Sequence, residues 1–303
     1  MTASLVHITQ AGIALFLQLS IQASLMLTVL GFGLAATWQD ALHLLQRPKL
    51  LLRAVLSMNI MMPIAAAVIG TTFSLPFEVK VALVTLAVSP VPPMIQLKQI
   101  TAGGHREYVV GLLIAMSVLA IAVVPLTLVI LSHVFGGAAA IDPAAVARFM
   151  LVTVLAPLLV GLLTRHWFPA AAGASGVIIA VAGILLVVSV ALLLYGLWPI
   201  TRMYLGNGIE LICVVLAVIG LAVGHFFGGP LPGDRTALAI STASRHPAVA
   251  LAIATYGTAG KPMPAFVIIL LYVVVATVVS FAYKRWRARA PSREAQIESG
   301  GRG

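Results

Sequence analysis

Apolar stretches of about 20 residues alternate with short polar clusters along almost the whole chain. Roughly 20 apolar residues rising 1.5 Å each cross about 30 Å of hydrocarbon. The pattern predicts nine such helices, at 11–36, 51–70, 79–103, 107–135, 145–164, 174–198, 208–228, 235–258 and 263–283. The fold class is therefore all-α, a polytopic membrane protein. The first stretch is too long for a cleaved signal peptide and "MTASLVHITQ" offers no basic leader, so it reads as a retained span.

Two of these spans are interrupted. The third carries "SPVPP" (Ser89 to Pro93), and the eighth carries "STASRHP" (Ser241 to Pro247). Proline has no amide donor and clashes with the preceding turn, so Pro90, Pro92, Pro93 and Pro247 should break their helices and leave backbone groups unpaired. Lipid cannot satisfy such groups; protein or a watery cavity must surround them. Pro63, Pro125 and Pro157 read as simple kinks. Counted from the start of the first span, the first break falls about 79 residues on; counted from the start of the sixth, the second falls about 73 residues on. Each break lies in the third helix of its set, and sets five helices apart enter the membrane in opposite senses. This is the arrangement of inverted repeats (4+5) in secondary transporters, with two discontinuous helices crossing near the midplane.

Composition agrees with a membrane protein: 61% of residues are hydrophobic, 9% are charged and the mean hydropathy is +1.10. The formal charge of +10 changes the picture only once its distribution is considered. With the N-terminus outside, Arg47, Lys49, Arg53, Arg106, Arg165, Arg235 and six basic residues of the tail fall on the cytoplasmic side, and only Lys80, Arg148, Arg202 and Lys261 fall outside. That split is the positive-inside pattern of a multi-pass cell (inner) membrane protein with a cytoplasmic C-terminus, and it argues against a nucleic-acid partner. Residues 284–303, opening "KRWRARAPSRE", read as a cytoplasmic basic tail that touches anionic headgroups. Cys213 is the single cysteine, so no intrachain disulfide or Cys-rich metal site is available, and no cofactor or metal is expected.

The candidate chemistry gathers at the breaks. Arg245 lies about ten residues into its span, near mid-bilayer, where an arginine costs about 2.5 to 3.5 kcal/mol on the mildest scale. No acidic residue stands at matching depth, so its charge needs another partner. Two readings stay open: a fixed cation that holds the crossing and attracts an anion through its planar fork, or a structural residue capping carbonyls of the opposite half-helix. His246 is the one group there able to titrate near neutral pH, either as a neutral residue held by the backbone or as a proton-coupling site. Lys98 either snorkels toward the interface or adds a second fixed charge. Ser89, Gln96, Asn59, Ser241, Thr242 and Ser244 supply hydroxyl and amide groups for a cavity, or bond to backbone as polar residues in packed spans do. Together with Arg245, His246 and Lys98 they form the expected substrate-binding set. Ser244 and His246 are the only nucleophile–base candidates, and residues two apart on a helix do not face each other, so no enzyme is expected. "FFGGPLPGD" reads as a loop with Asp234 available as the N-cap of the eighth helix, and "TAGGHRE" as a glycine-capped turn.

"LTVLGFGLAATWQDALHLLQRPKLLLRAVLSMNIMMPIAAAVIG", "LAVSPVPPMIQLKQITAGG" and "ALAISTASRHPAVALAIATYG" resemble the helix-linker-"RP" turn and the two broken helices of the bile acid:sodium symporter family. The resemblance runs from about residue 20 to 283. It implies a nine-helix member with a panel domain (11–36, 145–164, 174–198) and a core domain (51–70, 79–103, 107–135, 208–228, 235–258, 263–283). An organic anion would bind in the cleft between them. It also implies a sodium site, and here the residues depart from the family. Ser241 stands where a sodium-binding Glu is expected, Arg245 at a Gln, His246 at an Asn, and Pro92 at a Gly. Ile95 and Gln96 stand at a Ser-Asn pair, and Met58 or Asn59 at a helper Gln. A hard cation wants several oxygen ligands, so the expectation is sodium-independent transport of a small or amphipathic organic anion, Arg245 replacing the bound cation. Sodium coupling at a relocated site, proton coupling, and a non-transporting sensor on the same fold are the alternatives. An arsenite permease would want a core thiolate, and Cys213 is at neither break.

Overall fold

The computed structural model describes residues 2–92, 105–134, 143–257 and 263–289, and every regular element among them is helical. The first helix, α1 (Thr2–Ala35), leads through Thr37 into the short linker helix α2 (Trp38–His43). Thr37 and Asp40 form a capping box there: the Asp40 amide donates to Thr37 Oγ1 at 3.2 Å, and the Thr37 amide donates to Asp40 Oδ2 at 2.9 Å. Then come α3 (Pro48–Thr72), α4 (Phe77–Val88), α5 (Arg106–Val134), α6 (Ala144–Trp167), α7 (Ser175–Gly196) and α8 (Trp198–Tyr204). The remaining helices are α9 (Ile209–Phe227), α10 (Pro232–Ala243), α11 (Pro247–Gly257) and α12 (Met263–Arg289).

Among the described residues, seven segments are long and apolar enough to cross a membrane, and the apolar part of α1, Leu19–Ala35, is shorter. The predicted third span ends as a helix at Val88, and the chain runs extended through residue 89; Pro93 and the rest of that span lie outside the described residues. The eighth stretch is two helices, α10 and α11, separated by Ser244–His246. Pro48 sits in the first turn of α3, which starts the helix ahead of the predicted residue 51. The start of the basic tail is not loop: α12 continues to Arg289, because nothing in "KRWRAR" breaks a helix. Asp234 is not an N-cap either. Leu231 holds that position, Pro232 opens α10, and Asp234, in its first turn, faces His105 Nδ1 at 3.0 Å.

Two packing groups result. In the first, α1 lies against α6 and α7. It approaches α6 so closely that a Cβ on Gly33 would sit 2.9 Å from the Gly161 Cα. In the second, α9 pairs with α10 and α12, and α4 is held between α11 and α12. Gly220 and Gly224, spaced as a membrane packing motif, admit the α10 backbone: a Cβ on Gly220 would meet the Ala243 Cα at 2.8 Å, and one on Gly224 the Ala239 Cα at 2.5 Å. Burial follows. The apolar window of Pro232–Thr255 is 94% enclosed, against 22% for Pro169–Gly196. The broken span is thus surrounded by protein, as interrupted backbone at membrane depth requires.

Candidate functional site

The two breaks meet. At the first, the Ser89 amide still donates back to Thr85 O (3.1 Å) and Leu86 O (3.2 Å), and then its ψ of 140° turns the chain out of the helix. Prolines at 90 and 92 remove two amide donors from the next three residues, so this segment has carbonyls to offer and few N–H groups. The second break is the complement. Ser244 ends α10 with φ −91° and ψ 127°, Pro247 opens α11, and between them stand Arg245 and the His246 amide, both donors. The His246 N–H donates to Pro90 O at 3.0 Å and ties the two extended segments directly.

Arg245 makes the second tie. Its Nη1 donates to Ser89 O at 3.0 Å and its Nη2 to Met58 O at 3.2 Å. The Met58 carbonyl is available for a local reason. Residues Leu56–Met61 of α3 form a π-turn, in which each carbonyl accepts from the residue five ahead. For Met58 that residue is Pro63, which has no N–H. Pro63 is therefore more than the simple kink its sequence suggests: it frees the acceptor that the guanidinium takes. Pro157 follows a second π-turn, Leu151–Leu155, while Pro125 sits inside an uninterrupted α5.

Arg245 is 3% exposed, and among the described residues no carboxylate lies within ion-pair distance of it. Helix ends offset the charge instead. The C-termini of α4 and α10 both stop at the crossing, each carrying roughly half a negative charge, while the N-terminus of α11 at Pro247 returns roughly half a positive one. The surrounding polar contacts are also long-range: Tyr272 Oη donates to Ala243 O at 2.5 Å, and Ser57 Oγ lies 2.7 Å from Thr242 Oγ1.

A cavity of about 170 Å³ opens beside the crossing. Its floor is Pro92, Ser244, Arg245, His246 and Pro247; α1 contributes Ser24, Leu25 and Thr28, α7 contributes Leu186, and α12 contributes Val273, Ala276 and Thr277. Of the residues expected to line it, Arg245, His246 and Ser244 do. Ser89, Pro90, Ser241 and Thr242 are buried at the crossing and outside that lining, Thr242 paired with Ser57 and Ser89 Oγ donating to Leu86 O at 3.1 Å. Asn59 is half-buried on α3, with Nδ2 3.7 Å from Met116 Sδ. Gln96 and Lys98 lie outside the described residues. Sequence reasoning passes over Ser24, Thr28, Ser57, Tyr272 and Thr277; the first two leave a trace as a polar pair four residues apart, obscured by Gln18, Ser20 and Gln22 in the same helix.

A helix that ends at Val88 meets a span interrupted at Ser244–His246 inside an enclosed bundle and beside a small cavity, an arrangement that fits a membrane transport protein. The Sodium Bile acid symporter family model matches residues 23–202, more than half of the 303-residue chain, and the chain belongs to that family of secondary transporters. The matched region contains the first break and ends before α10, so Arg245 and His246 lie beyond it. No curated protein matches the chain.

Proposed function

We propose that the chain is a secondary transporter of a small organic anion that works by alternating access without a bound sodium ion, Arg245 standing in the place of the cation. The observation that carries this reading is the guanidinium, 3% exposed, bonded to Ser89 O and Met58 O where two interrupted helices meet. A positive charge fixed to the chain stands against the C-termini of α4 and α10, in the position where a mobile cation would otherwise be needed. In this reading α1, α6 and α7 form a panel and the remaining long helices a core. The cavity between α1, α7 and the crossing is where the anion sits, and the two halves of the chain are inverted repeats. The N-terminus lies outside and the C-terminus in the cytoplasm, as the distribution of basic residues supports.

The test is uptake into proteoliposomes of a panel of radiolabelled carboxylates and sulfonates, with and without sodium on either side. Uptake of an organic anion at equal rates in sodium and in choline is the expected result. Uptake that disappears when sodium is withdrawn refutes the role given to Arg245, and uptake of no anion refutes the carrier.

A further inference from the structure

The end of the bundle where α9 turns into α10 gathers charge that the transport reading leaves unused. α9 stops at Phe227, Pro232 opens α10, and α12 runs on beside them to Arg289. Arg235 donates from Nε to Gly229 O at 2.6 Å. Arg287 reaches across from α12 and donates from Nε to Thr236 Oγ1 at 3.2 Å and from Nη2 to Pro232 O at 3.4 Å. Arg53 of α3 comes to the same turn, its Nη1 3.5 Å from where a Cβ on Gly229 would stand. The acceptors are carbonyls and a hydroxyl, so two of these guanidiniums are held in place without being neutralised. Among the described residues no carboxylate lies within ion-pair distance of any of the three. Asp234, the acid in the same turn of α10, is buried and faces His105 Nδ1 at 3.0 Å. Both Nη groups of Arg235 and the Nη1 of Arg287 are left without a partner among the described residues.

Next to this charge, toward the apolar parts of α9 and α12, stands a wall of rings. His225 Nδ1 lies 2.7 Å from Tyr283 Oη, and the His225 ring packs against Phe226 and Trp286 with centroids 6.2 and 6.1 Å apart. Phe226 is 84% exposed and Trp286 57%. The apolar run of α12 ends at Tyr283 and "KRWR" follows, so the rings stand where the helix leaves the hydrocarbon, the level at which Tyr and Trp collect in membrane proteins. We infer that this end of the bundle is a binding site for an anionic phospholipid, its phosphate accepting from Arg235 and Arg287 and an acyl chain lying on Phe226 and Trp286. A guanidinium fork matches the oxygens of a phosphate, and basic pockets between membrane helices suit such headgroups. The rings decide the source of the phosphate. A free phosphate meets the charge and leaves the rings uncovered, while a zwitterionic lipid covers the rings and brings an ammonium of its own toward the arginines. Bound there, the lipid joins α10, the first half of the interrupted span, to α12. The site is separate from the crossing and does not depend on what the carrier moves.

The experiment is equilibrium binding of dioleoyl phosphatidylglycerol and dioleoyl phosphatidylcholine to the full-length protein in detergent, counted by native mass spectrometry, with inorganic phosphate in excess as competitor. Phosphatidylglycerol should bind about tenfold more tightly than phosphatidylcholine, and phosphate should not displace it. Arg235→Gln and Arg287→Gln reach the same site from two helices, and each should weaken phosphatidylglycerol about fivefold; unchanged phosphatidylcholine binding marks each variant as folded. Arg285→Gln removes the same charge two residues away on α12, where the guanidinium lies 4.8 Å over the Phe281 ring, and should change the affinity by less than about twofold. Trp286→Ala should weaken both lipids alike. Equal affinities for the two lipids in the unaltered protein overturn the inference. So does a loss with Arg285→Gln as large as with Arg287→Gln, the signature of diffuse attraction to a basic helix end, and so does displacement by phosphate, which makes the ligand a free anion.

Discussion

The two breaks look alike in sequence, each a proline-marked gap in a membrane span, yet the helix ends before them are capped differently. In its own donors the first is self-contained. The Ser89 amide reaches Thr85 O and Leu86 O, and its hydroxyl returns to Leu86 O, all within one turn of the same helix. The second adds distant residues to its own local bond from the Ser244 amide to Ile240 O: Ala243 O takes a donor from Tyr272 on α12, and Thr242 takes its partner from Ser57 on α3. Between them the exchange is directional. Ser89 O and Pro90 O accept, while Arg245 and the His246 amide donate. One gap is acceptor-rich by its prolines, the other is donor-rich by a guanidinium, and hydrogen bonds join the two directly. The difference also makes predictions, because damage should be graded by which break it reaches and from how far.

The largest effect is expected at Arg245, whose side chain touches both α3 and the first break. Arg245→Met should reduce anion uptake by more than 100-fold. Its effect on stability is the smaller signal. Orphaning two buried carbonyls costs about 1–3 kcal/mol each, but removing a charge from mid-bilayer returns about 2.5–3.5 kcal/mol, so the two nearly cancel. Arg245→Lys keeps the charge but replaces a planar fork with a point donor, and should lose about tenfold. Uptake within threefold of the parent in both variants would show that the crossing functions without its cation and would erase the distinction between donor and acceptor breaks.

Next in size is the contrast between local and distant capping. Tyr272→Phe removes the donor to Ala243 O and leaves a buried helix-end carbonyl without it, at a cost of about 1–3 kcal/mol. Ser89→Ala removes a hydroxyl from Leu86 O, which the Ser89 amide already serves, and should cost less than about 1 kcal/mol. Thermal unfolding of the purified protein in one detergent ranks the two. If Ser89→Ala proves as damaging as Tyr272→Phe, the first break is not self-contained.

How much of this is legible in the sequence follows from the range of each interaction. Proline has no N–H wherever it occurs, so "SPVPP" and "RHP" announce both gaps, and an arginine far from any acid announces that carbonyls or a ligand must receive it. The particular acceptor is another matter. Met58 O is free only because a π-turn puts Pro63 five residues ahead of it, and it meets Arg245 across 187 residues of chain. Neither the register of that turn nor the meeting is encoded in local periodicity. The same holds for the cavity walls: nothing local marks Ser24 and Thr28 as lining, and the commitment of their hydrogens depends on the Ala182 carbonyl of α7 for the one and on the preceding turn for the other. The end of α12 was hidden for a third reason, since charge marks where a span leaves the membrane and says nothing of where the helix stops.

The smallest expected effect sharpens the same contrast. Ser57 lies in the π-turn of α3 and Thr242 in the last turn of α10, so their 2.7 Å hydroxyl pair joins the same two elements that Arg245 joins through Met58 O. Hydroxyl pairs between membrane helices average about 0.6 kcal/mol in double-mutant cycles, because each partner finds substitutes when separated. Ser57→Ala, Thr242→Val and the double variant should give a coupling of about that size in unfolding free energy. Uptake should change no more than about threefold, since the guanidinium still spans the junction. A coupling of zero assigns the whole contact between α3 and the second break to Arg245. A coupling above about 1.7 kcal/mol, the upper end for such pairs, means the hydroxyls position the guanidinium, and the donor-rich break is then held by three residues acting together rather than by one.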